Sequence, residues 1–306
     1  MRKPDDRTLP FDSYITVRKQ AEKALRDAGA LDVFPTPIED IMKVANVREV
    51  EDEVLNESLV EKFRKEVGSV VGTLKRALSK VIGLFDARAG LIFIDRTLPP
   101  IKQIFVRLHE AGHGFLPWQR KMYQVVEDSP ESLDPEVADL FDREANVFAA
   151  EVLFKLDKFI EEANDHDFSI FVPVRLKKKY GSSIYSAVRQ YVSKNHRACA
   201  VIVLNPPVIV PGDGFRAALR RVDSSVTFKE KFGELTLPDE FTPDDSIGAM
   251  VPLHGRRATG KKELFLTDLN GIEHRCLAEA FTNTHQVFVL VLPVEELTRT
   301  TILLAS

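Results

Sequence analysis

The chain has 306 residues, 44% hydrophobic and 29% charged, and carries a net charge of -4 from 42 basic and 46 acidic side chains. That composition fits a soluble globular protein long enough for two or three domains, and the charge balance argues against direct binding to nucleic acid or to an anionic membrane surface. No apolar run approaches the roughly 20 residues that span a bilayer, no apolar stretch follows the first basic residues as a secretory signal would require, and the two cysteines, Cys199 and Cys276, cannot build a disulfide framework. A cytoplasmic location is the expectation.

Residues 13 to 29 place Ile15, Val17, Ala21, Ala24, Leu25 and Ala28 at mostly helical spacing, with Gly29 as the stop. "FPTPIEDIMKVANV" predicts a turn and a short second helix capped by Thr36. A charged segment from Glu49 to Lys80 follows, expected to be helical in part. "GLIFID", residues 90 to 95, has the apolar and β-branched content of a short strand. Pro99 and Pro100 then open a helix with Ile101, Ile104, Phe105, Leu108, Gly112 and Phe115 inward, ended by Pro117. From Asp134 as N-cap and Pro135 at the first helical position, "DPEVADLFDREANVFAAEVLFKL" predicts the clearest helix of the chain. Two short helices flank a turn at Gly181-Ser182-Ser183. Beyond Ala198 the pattern turns to strands: "ACAVIVLN", "AMVPL", a hairpin turning at Asn270-Gly271, and "HQVFVLVLP".

The chemistry concentrates in "VRLHEAGHGF", residues 106 to 115. His109 and His113 are four apart, so on a helix they share one face a turn apart and two imidazole nitrogens can reach one ion at about 2.0 Å. Glu110 sits beside them, where its carboxylate can take a proton from a water at that ion. This is the H-E-x-x-H arrangement of zinc hydrolases, and one zinc ion per chain is the expected cofactor. A lone histidine is more often an ordinary core or surface residue, so a third ligand is the real test.

The second long helix offers one. Val137, Leu140, Phe141, Phe148 and Val152 form its buried stripe, and Glu144 and Glu151 fall inside that stripe, whereas Glu136, Asp139 and Asp142 point away from it. A carboxylate in a buried stripe is costly unless it is paired or bound to a metal. Glu144 and Glu151 lie two turns apart, about 10.5 Å, so one can be a ligand and the other a second-layer or structural group; for Glu151 a salt bridge to Arg107 or to a neighbouring helix serves equally well. Periodicity does not separate the two.

"FVRLHEAGHGF" followed some thirty residues on by "REANVFAAEVL" resembles the ImmA/IrrE type of metallopeptidase, whose pattern is H-E-x-G-H and then E-A-N-x-F-A-A-E. The resemblance takes in the upstream helix, "PTPIEDIMKVANV" and "GLIFID", and covers roughly the first 155 residues. It implies that His109, His113 and Glu144 hold the metal, that Glu110 is the general base, and that the substrate is a regulatory protein such as a helix-turn-helix repressor, cleaved or inactivated in stress response or mobile-element control. Three departures stand out: the charged segment of residues 50 to 80, "LPWQ" after the second histidine, where relatives more often carry an apolar stretch and another histidine, and "EVLFKL" where a Met-Pro ending is common.

The expected architecture is α+β: a mainly helical zincin-like peptidase domain with a small sheet over residues 1–160, a helix-turn-helix-like linker over 161–197, and an α+β, GAF-like sensor domain over 198–306, as in longer relatives of the family. The basic cluster of Arg175 and Lys177 to Lys179 suits a solvated helix face better than a nucleic-acid contact, and His196, His254, His274 and His285 are too scattered for a second metal. The alternative to a peptidase is a catalytically quiet protein that binds a repressor through the same fold.

Overall fold

The computed structural model describes residues 6–50, 83–126, 134–212, 214–253, 255 and 257–294. The expectation for the charged segment of residues 50 to 80 lies almost wholly outside them. The chain divides into two compact units, one of Asp5–His166 with Val172–Gln190 and the other of Met1–Pro4, Asp167–Phe171 and Tyr191–Ser306. Together they form a mixed α+β molecule.

In the first unit, helix α1 (Phe11–Asp27) buries Val17, Ala21, Ala24 and Leu25, and Gly29 beyond it takes φ +61° as a helix stop requires. Helix α2 (Ile38–Val44) follows without a side-chain cap. Thr36 does not cap it: the buried hydroxyl lies 3.4 and 3.3 Å from the carbonyl oxygens of Val152 and Leu153, so it serves the end of a different helix. A three-stranded sheet of β1 (Arg48–Glu49), β2 (Gly83–Asp86) and β3 (Leu91–Ile94) has the order β1-β3-β2, with β3 parallel to β1 and antiparallel to β2. Helix α3 (Pro100–Phe115) begins with proline at its first position, where the missing N–H costs nothing. Its buried residues include Val106, Leu108, Ala111, Gly112 and Gly114, whereas Ile101 in the first turn is 40% exposed. The inward face is thus turned from the expected one and holds Glu110 and His113 as well. Pro117 does not lead into a loop: after one extended residue, Leu116, it starts helix α4 (Pro117–Val126).

Helix α5 (Pro135–Leu153) is capped as its sequence predicts, Asp134 accepting from the backbone N–H of Glu136 and Val137. It lies against α3 at Gly112, where a Cβ would stand 3.0 Å from Phe148 Cδ1 and 3.4 Å from Ala145 Cα. The glycine inside "HEAGH" therefore sets how closely the two helices approach. Helix α6 (Lys158–Asn164) follows, then α7 (Phe171–Tyr180) and α8 (Ile184–Ser193) around Gly181 at φ +65°. Tyr180 packs its ring on Phe34, Phe154 and Phe159 and donates its hydroxyl to Glu162. Ser186, Ala187, Val188, Arg189 and Gln190 of α8 are all buried, so the second helix of the pair offers no free face along that stretch.

The second unit is built on a seven-stranded antiparallel sheet. Strands β4 (Ala200–Leu204), β5 (Val208–Val210), β6 (Gly214–Ser224), β7 (Glu240–Phe241), β8 (Ala258–Thr267), β9 (Glu273–Thr282) and β10 (Val287–Pro293) take the order β5-β6-β4-β10-β9-β8, with β7 paired to β6. One apolar cluster joins Ile202, Leu204, Phe215, Leu219, Leu264 and Val289. A second gathers Ala200 with Phe228 and Phe232 of helix α9 (Val226–Phe232), which Ser225 caps through the N–H of Phe228. The expected hairpin turns at Asn270-Gly271, where Asp268 Oδ1 accepts from the N–H of Asn270 and Ile272. The stretch "AMVPL" is not a strand. Gly248–Met250 forms a 3-10 turn, Gly248 sits against the Thr242 carbonyl, 1.7 Å from where a Cβ would lie, and Met250 joins the apolar cluster of the sheet.

Candidate metal centre

The one-turn spacing on α3 brings His109 and His113 together: their Nε2 atoms are 3.1 Å apart and the rings meet edge-on with centroids 4.7 Å apart. Each ring's other nitrogen faces an amide oxygen, His109 Nδ1 lying 3.1 Å from Asn146 Oδ1 and His113 Nδ1 2.7 Å from Gln119 Oε1. Since an amide oxygen only accepts, both Nδ1 atoms carry the hydrogen. The two facing Nε2 atoms are then lone pairs with no proton between them, a repulsive arrangement that a shared cation relieves. Tetrahedral bonds of about 2.0–2.1 Å also call for nitrogens a little over three ångströms apart. The pair fits a zinc ion.

Glu110, one residue after the first histidine, is buried, and that burial pushes its carboxyl up to about 7; His109 opposes the shift and Asp142 adds to it. His113 is held down to about 3, by burial first and His109 second, against its bond to Gln119. Tyr123 of α4 stacks edge-on to His113 at 5.5 Å. Burial raises its phenol well above the usual range, helped by Glu110, Asp142 and Glu144, so the hydroxyl stays protonated.

Three carboxylates of α5 take different partners. Asp142, on the exposed side of the α5 stripe, brings Oδ1 within 3.5 Å of His109 Nε2, and its Oδ2 accepts from Asn146 Nδ2 at 3.3 Å. Glu144 is buried, as its place in the stripe requires, but its Oε2 accepts from Trp118 Nε1 at 2.7 Å and from Gln119 Nε2 at 2.6 Å. Glu151 is tied to α1, accepting from Tyr14 at 2.9 Å and pairing with Arg18 at 3.1 Å, and does not join the histidines; Arg107 bonds Glu49 at 2.6 Å instead. Among the described residues no three His, Cys, Asp or Glu side chains close into a complete ligand set.

Asn146, Trp118 and Gln119 stand within the quoted motifs with no role assigned by the sequence, and Tyr123 stands outside them. Asn146 was accessible to a sequence reading, since it lies four residues after Asp142 and on the same helix face. Nothing in "LPWQ" marks Gln119 as the partner of His113, because the bend at Leu116 that brings it back has no sequence signature. In the second unit His274 bonds Asp268 at 2.9 Å within the β8–β9 hairpin and gathers no further ligand among the described residues.

Residues 64–190 match the family model Peptidase_M78, described as the IrrE N-terminal-like domain. No curated protein matches the chain. Among solved structures it is similar to a Mycobacterium tuberculosis transcriptional regulator, at 10% identity and a TM-score of 0.48, over 92% of this chain and 78% of that one. The histidine pair, Glu110, Asp142 and Glu144 all fall inside the matched segment, and the match supports the resemblance to the ImmA/IrrE family.

Proposed function

We propose that the protein is a zinc-dependent endopeptidase acting on a regulatory protein, with a helix-turn-helix transcriptional repressor as the substrate class and stress response or mobile-element control as the setting. The observation that carries the reading is the pair of Nε2 lone pairs held 3.1 Å apart beside a buried glutamate. His109 and His113 would hold the ion with Glu144, the ligand that the family resemblance implies, and Asp142 is a further carboxylate that reaches His109. A bound zinc ion supplies Lewis acidity: it polarises the scissile carbonyl and makes a water acidic near neutral pH. Glu110 takes the proton of the attacking water and returns it to the leaving amine, and a carboxyl raised toward neutrality suits both transfers. Asn146 and Gln119 hold the two imidazoles in place throughout.

The first unit is read as a zincin-like peptidase domain and the antiparallel sheet of the second as a GAF-like sensor or docking domain. Binding of nucleic acid is not part of the proposal, since the net charge of -4 provides no electrostatic footprint and α8 is buried along most of its length. A second reading, a quiet repressor-binding protein of the same fold, is favoured by the incomplete ligand set among the described residues. One substitution separates the two. Glu110→Gln keeps the metal and slows cleavage of a co-expressed repressor by about 10²- to 10⁴-fold, the usual contribution of a general base. If Glu110→Gln and the wild type relieve repression equally, with the repressor intact in both, the quiet reading replaces the peptidase.

A further inference from the structure

We infer that the outer face of the second unit's sheet, around Ala218, binds a small aliphatic zwitterion, namely an α-amino acid with a branched apolar side chain. The site shares no residue with the metal centre, and it gives the second unit, read above as a sensor or docking domain, a ligand class of its own.

Strand alternation builds the face. Along β6, Phe215, Ala217 and Leu219 point into the apolar cluster, so Arg216 and Ala218 belong to the opposite side. The registers widen that side across the neighbouring strands. Val208 of β5 pairs with Arg216, Val210 pairs with Gly214, and Glu240 of β7 pairs with Ala218. Asn205 is tied to the same place, its backbone N–H donating to the Ala218 carbonyl at 2.8 Å. A single methyl group at Ala218 is thus ringed by longer side chains. A hollow of about 400 Å³ opens over it, a volume in the range of small-molecule sites.

The walls divide by chemistry. Pro206, Val208 and Val210 line part of the hollow, and Val208 is 67% exposed, an aliphatic surface that the fold leaves uncovered. Arg216 and Glu240 supply the charges, with Arg216 Nη1 3.8 Å from Glu240 Oε2 and both side chains 54% exposed. A pair this open is worth little in itself, and separating it around a ligand costs little. Its two charges match an amino acid, which bears a carboxylate and an ammonium on one carbon. The guanidinium receives the carboxylate and Glu240 accepts from the ammonium. Asn205 adds a donor: its Oδ1 accepts from Arg220 Nη1 at 3.2 Å, and because a guanidinium only donates, the NH₂ end is left to serve the carboxylate. A branched side chain then covers the valines. A simple anion would set its charge against Glu240 and a simple cation against Arg216, so the lining selects against both.

The test titrates L-leucine into full-length protein labelled with ¹⁵N-valine. The Val208 and Val210 amide signals should shift along a saturable curve. Arg216→Gln and Glu240→Gln, at half-exposed positions where the fold tolerates change, should each weaken binding about 10-fold or more, as expected for losing a charged hydrogen bond. Ala218→Leu should abolish binding by filling the hollow. N-acetyl-L-leucine, which lacks the ammonium, should bind wild type about 10-fold or more weakly than L-leucine, and that difference should vanish in Glu240→Gln. The proposal is overturned if L-leucine gives no saturable shift, or if N-acetyl-L-leucine binds wild type as tightly as L-leucine. Wild-type affinity in both Arg216→Gln and Glu240→Gln overturns it equally. Zinc content should be the same in all of these variants, so a failure here and a failure of the metal centre are told apart.

Discussion

Glu144 and Glu151 occupy the same apolar stripe of one helix, and burial alone does not say what each one serves. The cost of burying a carboxylate is met equally well by a metal, by an indole and an amide, or by a guanidinium. Here Glu144 takes Trp118 and Gln119, and Glu151 takes Tyr14 and Arg18. Helical periodicity identified both as buried and needy; the identity of the donors lay 26 and 137 residues away for Trp118 and Tyr14, beyond the reach of any local pattern. Asp142 points away from the stripe, as its position predicts, and at 43% exposed it is passed over by a test built on buried charge. His109, Glu110 and His113 were legible because their spacing carries the chemistry by itself. At this scale the half-buried Arg18–Glu151 pair gives a stability prediction. Arg18→Leu takes the guanidinium away from Glu151, which is 2% exposed, and from Asp157, and should cost about 1–3 kcal/mol in urea unfolding. The double variant Arg18→Leu/Glu151→Leu should recover much of that loss, since the stranded charge is gone. A double variant less stable than Arg18→Leu would argue against the pairing account.

Element boundaries followed local chemistry where the chemistry is strong. Asp134-Pro135 begins α5, Pro100 begins α3 and Gly181 breaks α7 from α8, each for a backbone reason visible in the sequence. Thr36 and Pro117 were misread because each fits a local rule while serving a tertiary one: Thr36 sits under the end of α5, and Pro117 suits the first position of a helix as well as it suits a stop. The same helix end holds Lys155 at φ 56°, its ammonium donating to the Ala30 carbonyl at 2.7 Å. Burial pulls this amine down to about 8 from its ordinary 10.5, with Lys158 adding and Asp32 opposing. Between those values the unfolded chain holds a proton that the folded chain has released, so this group's contribution to stability rises with pH across the window. The stability of wild type relative to Lys155→Met, followed by urea unfolding from pH 7.5 to 10.5, should therefore shift toward wild type as pH rises. A difference that stays flat would place the ammonium in water.

The α+β character of the whole molecule was legible from the succession of helical and then alternating patterns, and so were β4, β10 and the β8–β9 hairpin. Strand β6 was not read. Its inward Phe215, Ala217 and Leu219 alternate at period two, but Arg216, Arg220 and Arg221 suit a helix face as well, and only the neighbouring β4 decides. No described helix is long and apolar enough to cross a membrane. What unites the first unit is a site assembled from three helices: α3 gives the imidazoles and Glu110, α4 gives Trp118 and Gln119, and α5 gives Asp142, Glu144 and Asn146. On this account the metal is what the facing Nε2 atoms are arranged for, and zinc content tests that most directly. Metal analysis of purified, full-length protein should find about one zinc per chain in wild type and essentially none in His109→Ala. Wild-type protein that carries no zinc after growth and purification with the metal supplied, or His109→Ala that carries as much as wild type, would contradict it.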